Sequence, residues 1–260
     1  MIWTTRQRSD FGDLRDIGTD PEPHLLLIHG VGLRAEAFNA QIASLSTDLR
    51  IVAVDMPGHG ESTPFVDTPT MADFADRIAA AIIAPTVVIG HSMGAVIALD
   101  IASRFPNKVL AVGALNGIFN RSEAATKAIC ARADALDPGK VNDPTATLQR
   151  WFKDLTCPEA VACKSWLTSV NPQSYKTAYS LFANQTGPKA DDLKGISVPA
   201  LFMTGGEEPN STPQMSLEMA DLVQNGRAVI VDGAAHMMPM THPDVVGREI
   251  RKLTQGVWHD

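Results

Sequence analysis

The sequence has little of what marks disulfide-rich, membrane or metal-binding proteins. Its 260 residues include only three cysteines, an odd number whose spacing fits neither a disulfide framework nor a metal site. We therefore expect free thiols in a reducing, cytoplasmic compartment. No apolar run approaches the length of a membrane span. The first residues also lack the charged-then-apolar layout of a secretory signal.

Positive charge is scarce as well. The chain carries 22 Lys and Arg against 29 Asp and Glu, a formal net charge of −7. This balance offers no electrostatic footprint for nucleic acid or for an anionic membrane surface. There is no internal repeat or low-complexity tract, and the hydrophobic share of 45% is ordinary for a globular chain. The composition therefore predicts a globular protein that acts on a small molecule, with no nucleic-acid or membrane partner.

Strand-like and helix-like segments alternate along most of the chain. Six short apolar runs are typical of strands in a mainly parallel sheet: residues 25–28, 51–54, 86–89, 109–115, 200–203 and 228–231. Helical patterns separate most of them, around residues 35–46, 70–84, 93–104, 212–224 and 243–255. This alternation predicts an α/β fold with helices on both faces of the sheet. The polar first twenty residues have the character of an edge hairpin.

One long interval interrupts this rhythm. About eighty residues without a buried strand lie between the runs that end near Leu115 and begin near Ala200. A structureless loop of that length is improbable in a compact domain. We therefore expect residues 119–187 to form a helical cap over a core made of residues 1–118 and 188–260. Six aromatic residues of the interval predict, as a group, a largely apolar pocket roof: Trp151, Phe152, Trp166, Tyr175, Tyr179 and Phe182.

The most informative short motif is residues 90–94, GHSMG. A β-branched run precedes it and a helical run follows it, so Ser92 lies on a tight strand-to-helix turn. Larger side chains would clash around such a turn, which explains a glycine on each side. The turn raises the Ser92 hydroxyl to the sheet edge beside the positive end of a helix. Ser92 is therefore the candidate nucleophile, provided that a base and an acid accompany it.

A base and an acid follow in the expected chain order. Three histidines come after Ser92, and His236 lies in a loop just past the last strand run, whereas His242 precedes a proline and His259 is in the tail. His236 is thus the predicted base. The acid should follow the preceding strand, where Glu207 and Glu208 are adjacent. Neighbours on an extended segment point in opposite directions, so only one can face His236. We favour Glu208, which comes just before a proline turn, with Glu207 and Asp232 as alternatives.

Two backbone N–H groups are the expected donors for a developing oxyanion. One is that of Met93, directly after the nucleophile, and the other is that of Val31, in the loop after the first parallel strand. Gly30 lets this loop approach a ligand closely, and we expect Gly30 and His91 to bind substrate. Nothing in the sequence indicates a metal site or a cofactor.

These segments together resemble the α/β-hydrolase family from Leu25 to the end of the chain. The matching segments are residues 29–32 (HGVG), 55–60 (DMPGHG), 90–94 (GHSMG) and 233–236 (GAAH). The resemblance implies a mostly parallel eight-stranded sheet, a Ser-Asp/Glu-His triad and no cofactor. Family members most often place aspartate where this chain has Glu208.

The predicted function is a serine hydrolase that cleaves a small carboxylic ester or lactone through an acyl-enzyme on Ser92. The alternative is a hydrolase of carbon–carbon or amide bonds in a ring-cleavage product or dicarboxylate. For that alternative Arg121, Arg132 or Arg150 on the cap would bind a carboxylate. A non-catalytic receptor with the hydrolase fold is the hypothesis from a different class.

Overall fold

One twisted β-sheet organises the chain. A computed structural model describes residues 14–17, 24–46 and 49–258. The strands are β1 (Leu14–Ile17), β2 (His24–Ile28), β3 (Arg50–Val54), β4 (Thr86–His91), β5 (Val109–Leu115), β6 (Ala200–Gly205) and β7 (Gly226–Val231). All six strand segments predicted from apolar runs are present as β2 to β7.

The strand order is β1-β3-β2-β4-β5-β6-β7. Strands β2 to β7 are parallel, and β1 pairs antiparallel with the outer side of β3. The sheet of the described residues thus has six parallel strands and one antiparallel edge strand, which corrects the expectation of eight. Only the four residues of β1 form a strand before β2 in this part of the chain. The other half of the expected N-terminal hairpin falls in residues 1–13 and 18–23, outside the described residues.

Alternate side chains of each central strand enter different cores. Leu25 and Leu27 pack into one buried cluster, whereas Leu26 and Ile28 pack into another on the opposite face. This period of two is what a strand geometry imposes. Because both faces are apolar, each needs a layer of helices to cover it.

The helices supply those two layers. The α-helices outside residues 119–187 are α1 (Asn39–Leu45), α2 (Met71–Ala79), α3 (Met93–Arg104), α8 (Ala190–Lys194), α9 (Pro213–Leu222), α10 (Met238–Thr241) and α11 (Pro243–Trp258). Side chains of α1 and α11 bury into the cluster that contains Leu25, and those of α2, α3 and α9 into the cluster that contains Leu26. The predicted α/β fold with a parallel sheet and helices on both faces is confirmed.

Four further helices fill the interval between β5 and β6. They are α4 (Glu123–Asp134), α5 (Thr145–Trp151), α6 (Pro158–Ser169) and α7 (Pro172–Ala183). Asn171 and Cys157 cap the N-termini of α7 and α6, each followed by a proline in the first turn. Within the described residues no helix is long and apolar enough to cross a membrane.

Candidate active site

Ser92 occupies a strained turn between β4 and α3. Its backbone has φ 57° and ψ −117°, a conformation that costs a residue with a side chain free energy. The glycines on both sides of the turn are required by the space available. A Cβ on Gly90 would lie 1.9 Å from the Gly94 carbonyl oxygen, and one on Gly94 would lie 2.2 Å from the Ile28 carbonyl oxygen. The local sequence therefore permits a turn that larger residues would prevent.

His236 and Glu208 form the buried ion-pair geometry expected of a base and its acid. The His236 Nδ1 and Glu208 Oε2 atoms are 3.0 Å apart. An ionised carboxylate only accepts hydrogen bonds, so His236 donates through Nδ1 and leaves Nε2 as an acceptor. The other carboxylate oxygen, Oε1, accepts the backbone N–H groups of Asn210 (2.8 Å) and Ser211 (3.3 Å).

These contacts keep Glu208 ionised. Burial alone would raise its pKa, but the adjacent His236 and the two backbone donors outweigh burial and lower the pKa to about 2. Glu207 points away, with a side chain 46% exposed that pairs with Lys153 at 2.6 Å. Asp232 is exposed. Of the three carboxylates considered, the structure brings only Glu208 to His236.

Two aromatic rings hold the imidazole of His236 in place. The Trp151 ring, at the end of α5, stacks on it with centroids 5.4 Å apart and an interplanar angle of 22°. The His91 ring lies 5.0 Å away on another side, and its Nε2 is 2.8 Å from the His236 carbonyl oxygen. Burial and the proximity of His236 lower the pKa of His91 to about 3. Trp151 thus links the four-helix segment to the candidate base.

His91 does not line the cavity that holds Ser92, contrary to its expected role as a substrate-binding residue. The reason lies in its own contacts. His91 is buried and its Nε2 lies 2.8 Å from the His236 carbonyl oxygen, so its side chain supports the loop of His236.

The loop after β2 is braced by side chains of the fold. His29 accepts the Met56 N–H at Nε2 (2.9 Å), so its Nδ1 carries the proton and donates to the Gly30 carbonyl oxygen at 2.7 Å. Asp55 accepts the Ala35 N–H (2.9 Å), which ties the loop after β3 to the one after β2. His29 and Asp55 thus act as scaffolding for these loops.

The two expected oxyanion donors lie next to Ser92. Val31 and Gly30 line the same cavity as Ser92, and a Cβ on Gly30 would lie 3.0 Å from the Ser92 Cβ. Met93 is the first residue of α3, so its N–H has no acceptor within the helix. Among the hydrogen bonds of the described residues, none uses the N–H of Val31 or Met93.

One cavity joins these groups to the four-helix segment. It is lined by Ser92, His236, Gly30 and Val31. Its other lining residues are Leu33, Asn116, Ile118, Arg121, Ala125, Ile129, Arg132, Thr147, Arg150, Trp151, Tyr175, Tyr179, Phe182, Asn210 and Ser211. Four of the six aromatic residues expected in the roof are present, whereas Phe152 and Trp166 are buried elsewhere. Among the residues that the structure describes, no aspartate or glutamate lines this cavity.

Three arginines make the roof cationic as well as apolar. Arg121 is buried, its Nη1 donates to three backbone carbonyls of residues 182, 183 and 185, and burial lowers its pKa to about 10. Arg132 and Arg150 are half-buried, and their recorded hydrogen bonds go to the hydroxyls of Tyr179 and Thr147. None of the three pairs with a carboxylate in the described part of the chain. Guanidinium groups that no described carboxylate neutralises make a cavity attractive to an anionic ligand.

Asn116 and Ser211 are lining residues that the sequence did not reveal. Asn116 follows β5 with φ 50°, and both residues are only 1% exposed. Asn116 Oδ1 and Ser211 Oγ have no hydrogen-bond partner among the described residues. Asparagine adopts left-handed backbone conformations more readily than most residues, so an asparagine directly after a strand run is the one sequence signal for this turn. No cluster of three His, Cys, Asp or Glu that could hold a metal ion occurs in the described ranges.

The chain is similar to known hydrolases in sequence. A model of the "Alpha/beta hydrolase family" matches residues 25–249. A sequence relative named (E)-2-((N-methylformamido)methylene)succinate hydrolase, from Acinetobacter baylyi, is 36% identical over 233 residues, which are 87% of this chain and 88% of the relative. A pimeloyl-[acyl-carrier protein] methyl ester esterase from Neisseria meningitidis is 28% identical over 91% of this chain and 95% of its own.

Solved structures share the fold at lower identity. A thermophilic esterase from Thermogutta terrifontis, determined with malate bound, superimposes with a TM-score of 0.81 and 24% identity. The match covers 94% of this chain and 93% of the esterase.

Proposed function

Because the chain belongs to the alpha/beta hydrolase family, we propose that it is a serine hydrolase that cleaves an acyl bond of a small, carboxylate-bearing substrate. The observation that carries this proposal is the cavity of Ser92 and His236, whose lining has three arginines and no carboxylate. The named sequence relatives are hydrolases and esterases, which supports hydrolysis as the reaction. Residues 119–187 act in this proposal as the cap that supplies the cationic roof.

The first half of the reaction forms an acyl-enzyme. His236 Nε2 accepts the proton of the Ser92 hydroxyl while Oγ attacks the substrate carbonyl carbon. The N–H groups of Val31 and Met93 hold the oxygen that becomes negative. Glu208 fixes the His236 tautomer and stabilises the imidazolium, which then gives its proton to the departing nitrogen or oxygen. In the second half water, deprotonated by His236, attacks the acyl carbon and Ser92 recovers its proton.

The cavity favours an anionic substrate over the neutral ester or lactone first expected. Removing a guanidinium from water is costly unless an anion compensates for it. The relative at 36% identity is named for a succinate derivative that carries an amide. We therefore place amides and esters of small dicarboxylates first among the candidate substrates.

A matched pair of esters tests this substrate class. O-acetylmalate has two carboxylates, and its dimethyl ester has the same acetyl ester without them. We expect the kcat/KM for acetyl release to be on the order of 10- to 100-fold higher for the dianion, which corresponds to one or two charge-assisted hydrogen bonds. Arg132→Met and Arg150→Met should reduce that preference mainly through KM.

Arg248→Met serves as the control, because Arg248 is an exposed arginine on α11, outside the cavity. It should leave both rates unchanged. Equal turnover of the two esters by the wild-type chain would refute the anionic substrate class. Absence of turnover on any acyl substrate, together with no labelling of Ser92 by a fluorophosphonate, would favour the non-catalytic alternative.

A further inference from the structure

Asn116 lies beside the candidate nucleophile at the carboxyl edge of the sheet. In the register of β4 and β5, His91 pairs with Leu115, so the next residues along both strands are Ser92 and Asn116. The Ser92 N–H donates to the Leu115 carbonyl oxygen at 2.8 Å, which fixes the two turns against each other. Both residues line the same cavity.

The hydrogen-bond pattern fixes which end of the Asn116 amide is free. Thr204 has one hydroxyl proton, and it goes to the Ser211 carbonyl oxygen at 2.7 Å, an atom that only accepts. Thr204 Oγ1 can then only accept from the Asn116 amide, so the atom that faces it at 3.2 Å is the NH₂ group, Nδ2. The carbonyl oxygen Oδ1 is consequently the unpartnered end.

Ser211 contributes a second unpartnered atom. Its backbone is held on both sides, because its N–H donates to Glu208 Oε1 and its carbonyl accepts from Thr204. Its Oγ has no partner among the residues described. Buried polar atoms without partners are rare in folded proteins, and each destabilises the fold unless a ligand or a water satisfies it.

We propose that Asn116 Oδ1, in the same cavity lining as Ser211, is a subsite that accepts the N–H of a secondary amide in the substrate. This inference rests on the proposed function and names the acyl substrate more closely. Asn116 Oδ1 presents only lone pairs, so it pairs with an N–H donor and not with a carboxylate. The arginines of the four-helix segment take the carboxylates, while the strand ends around Ser92 take the neutral amide.

The subsite discriminates among the bonds that link one acyl group to the same dicarboxylate. A secondary amide offers an N–H to Oδ1, whereas an ester or an N-methylated amide leaves Oδ1 buried and unpaired. A site built around one substrate donor disfavours analogues that lack that donor. The compound in the name of the relative at 36% identity carries a methyl group on its amide nitrogen. This chain should therefore bind the N–H counterpart more tightly than the N-methyl form.

Calorimetric titration of the Ser92→Ala variant measures the Kd of each amide without turnover. N-acetylaspartate and N-acetyl-N-methylaspartate differ only at the amide nitrogen. We expect the N-methyl compound to bind on the order of 10- to 100-fold more weakly. Adding Asn116→Gly removes the acceptor while glycine keeps the positive φ, and the ratio of the two Kd values should fall to about threefold or less.

Asn120→Gly is the matched control, because Asn120 has φ 46° but is exposed and outside the cavity. It should leave the ratio unchanged. Thr204→Val is a second variant, which keeps the backbone at residue 116 and frees the amide to rotate; it too should reduce the ratio. An unchanged ratio in both Asn116→Gly and Thr204→Val would show that the pair holds only a structural water, and would overturn the subsite. Failure of the wild-type cavity to bind either amide would overturn the substrate class as well.

Discussion

Replacing Glu208 with glutamine removes a negative charge but preserves the size of the side chain. The amide would place either a carbonyl oxygen or an NH₂ group opposite His236 Nδ1, now 3.0 Å from a carboxylate oxygen. With NH₂ in that position, Nδ1 must accept and the proton moves to Nε2, the atom that should deprotonate Ser92. By analogy with other serine hydrolase triads, we expect kcat to fall on the order of 10³- to 10⁴-fold.

The same substitution should also cost stability. The side chain of Glu208 is fully buried, and its pKa falls from 4.5 to about 2 in the folded chain. A folded pKa below the unfolded one means that the stabilisation is present above about pH 4.5 and is lost as the pH falls toward 2. The shift corresponds to roughly 3 kcal/mol of unfolding free energy at pH 7, which Glu208→Gln should remove.

Glu207→Gln is the adjacent control. Its carboxylate is half-exposed and pairs with Lys153 at the surface, so we expect less than about 1 kcal/mol and no loss of kcat. Urea unfolding at pH 7 and at pH 4, together with acyl hydrolysis at pH 7, measures both effects. A Glu208→Gln enzyme with more than about a tenth of wild-type kcat would contradict the role of Glu208. So would a Glu207→Gln enzyme that is impaired as severely.

Other predictions concern the turn of the nucleophile and a buried histidine. Gly90→Ala should prevent soluble expression, because its Cβ would lie 1.9 Å from a backbone oxygen. Gly117→Ala is the control and should express normally, because its Cβ would meet side chains at 3.5 Å. Ser92→Gly should abolish hydrolysis. It should also raise the unfolding free energy by about 1 kcal/mol in urea titrations, because glycine relieves the strain of the positive φ at residue 92. A less stable variant would argue against strain at this residue. Burial and His29 lower the pKa of His59 to about 3, so its stabilising contribution is present above pH 6.5 and declines on acidification. Unfolding titrations between pH 6.5 and 4.5 should show a slope shallower by about 1.4 kcal/mol per pH unit in His59→Gln than in the wild type, and equal slopes would contradict this.

The fold was predictable because strands and helices here follow local patterns. The apolar runs that became β2, β4 and β6 are buried throughout and that of β7, at the sheet edge, only in part, but each run is flanked by turn residues or helical segments, so composition and length identified it. Alternation indicated that only one of Glu207 and Glu208 faces His236, and the place of Glu208 just before a proline favoured it; the structure places only Glu208 against His236. No local pattern indicates that the His91 ring is engaged with the His236 backbone, 145 residues away.

The cavity lining depended on contacts that no local pattern encodes. Asn116 meets Thr204 across 88 residues, and only the pairing of β5 with β6 brings them together. Arg121 was one of three equivalent candidates for binding a carboxylate, but its Nη1 holds carbonyls at the end of α7, some sixty residues away. These are tertiary contacts between distant segments, and they decide which polar atoms are left for a ligand.

The central claim is that Ser92 is a nucleophile in a cavity that binds small dicarboxylates. The most direct measurement is the rate of labelling by a fluorophosphonate, followed by intact mass and peptide mapping, with and without malate. We expect one adduct, on Ser92, formed more slowly as malate fills the cavity, and no adduct in Ser92→Ala. Labelling at another residue, or labelling of Ser92 at a rate that saturating malate leaves unchanged, would contradict it.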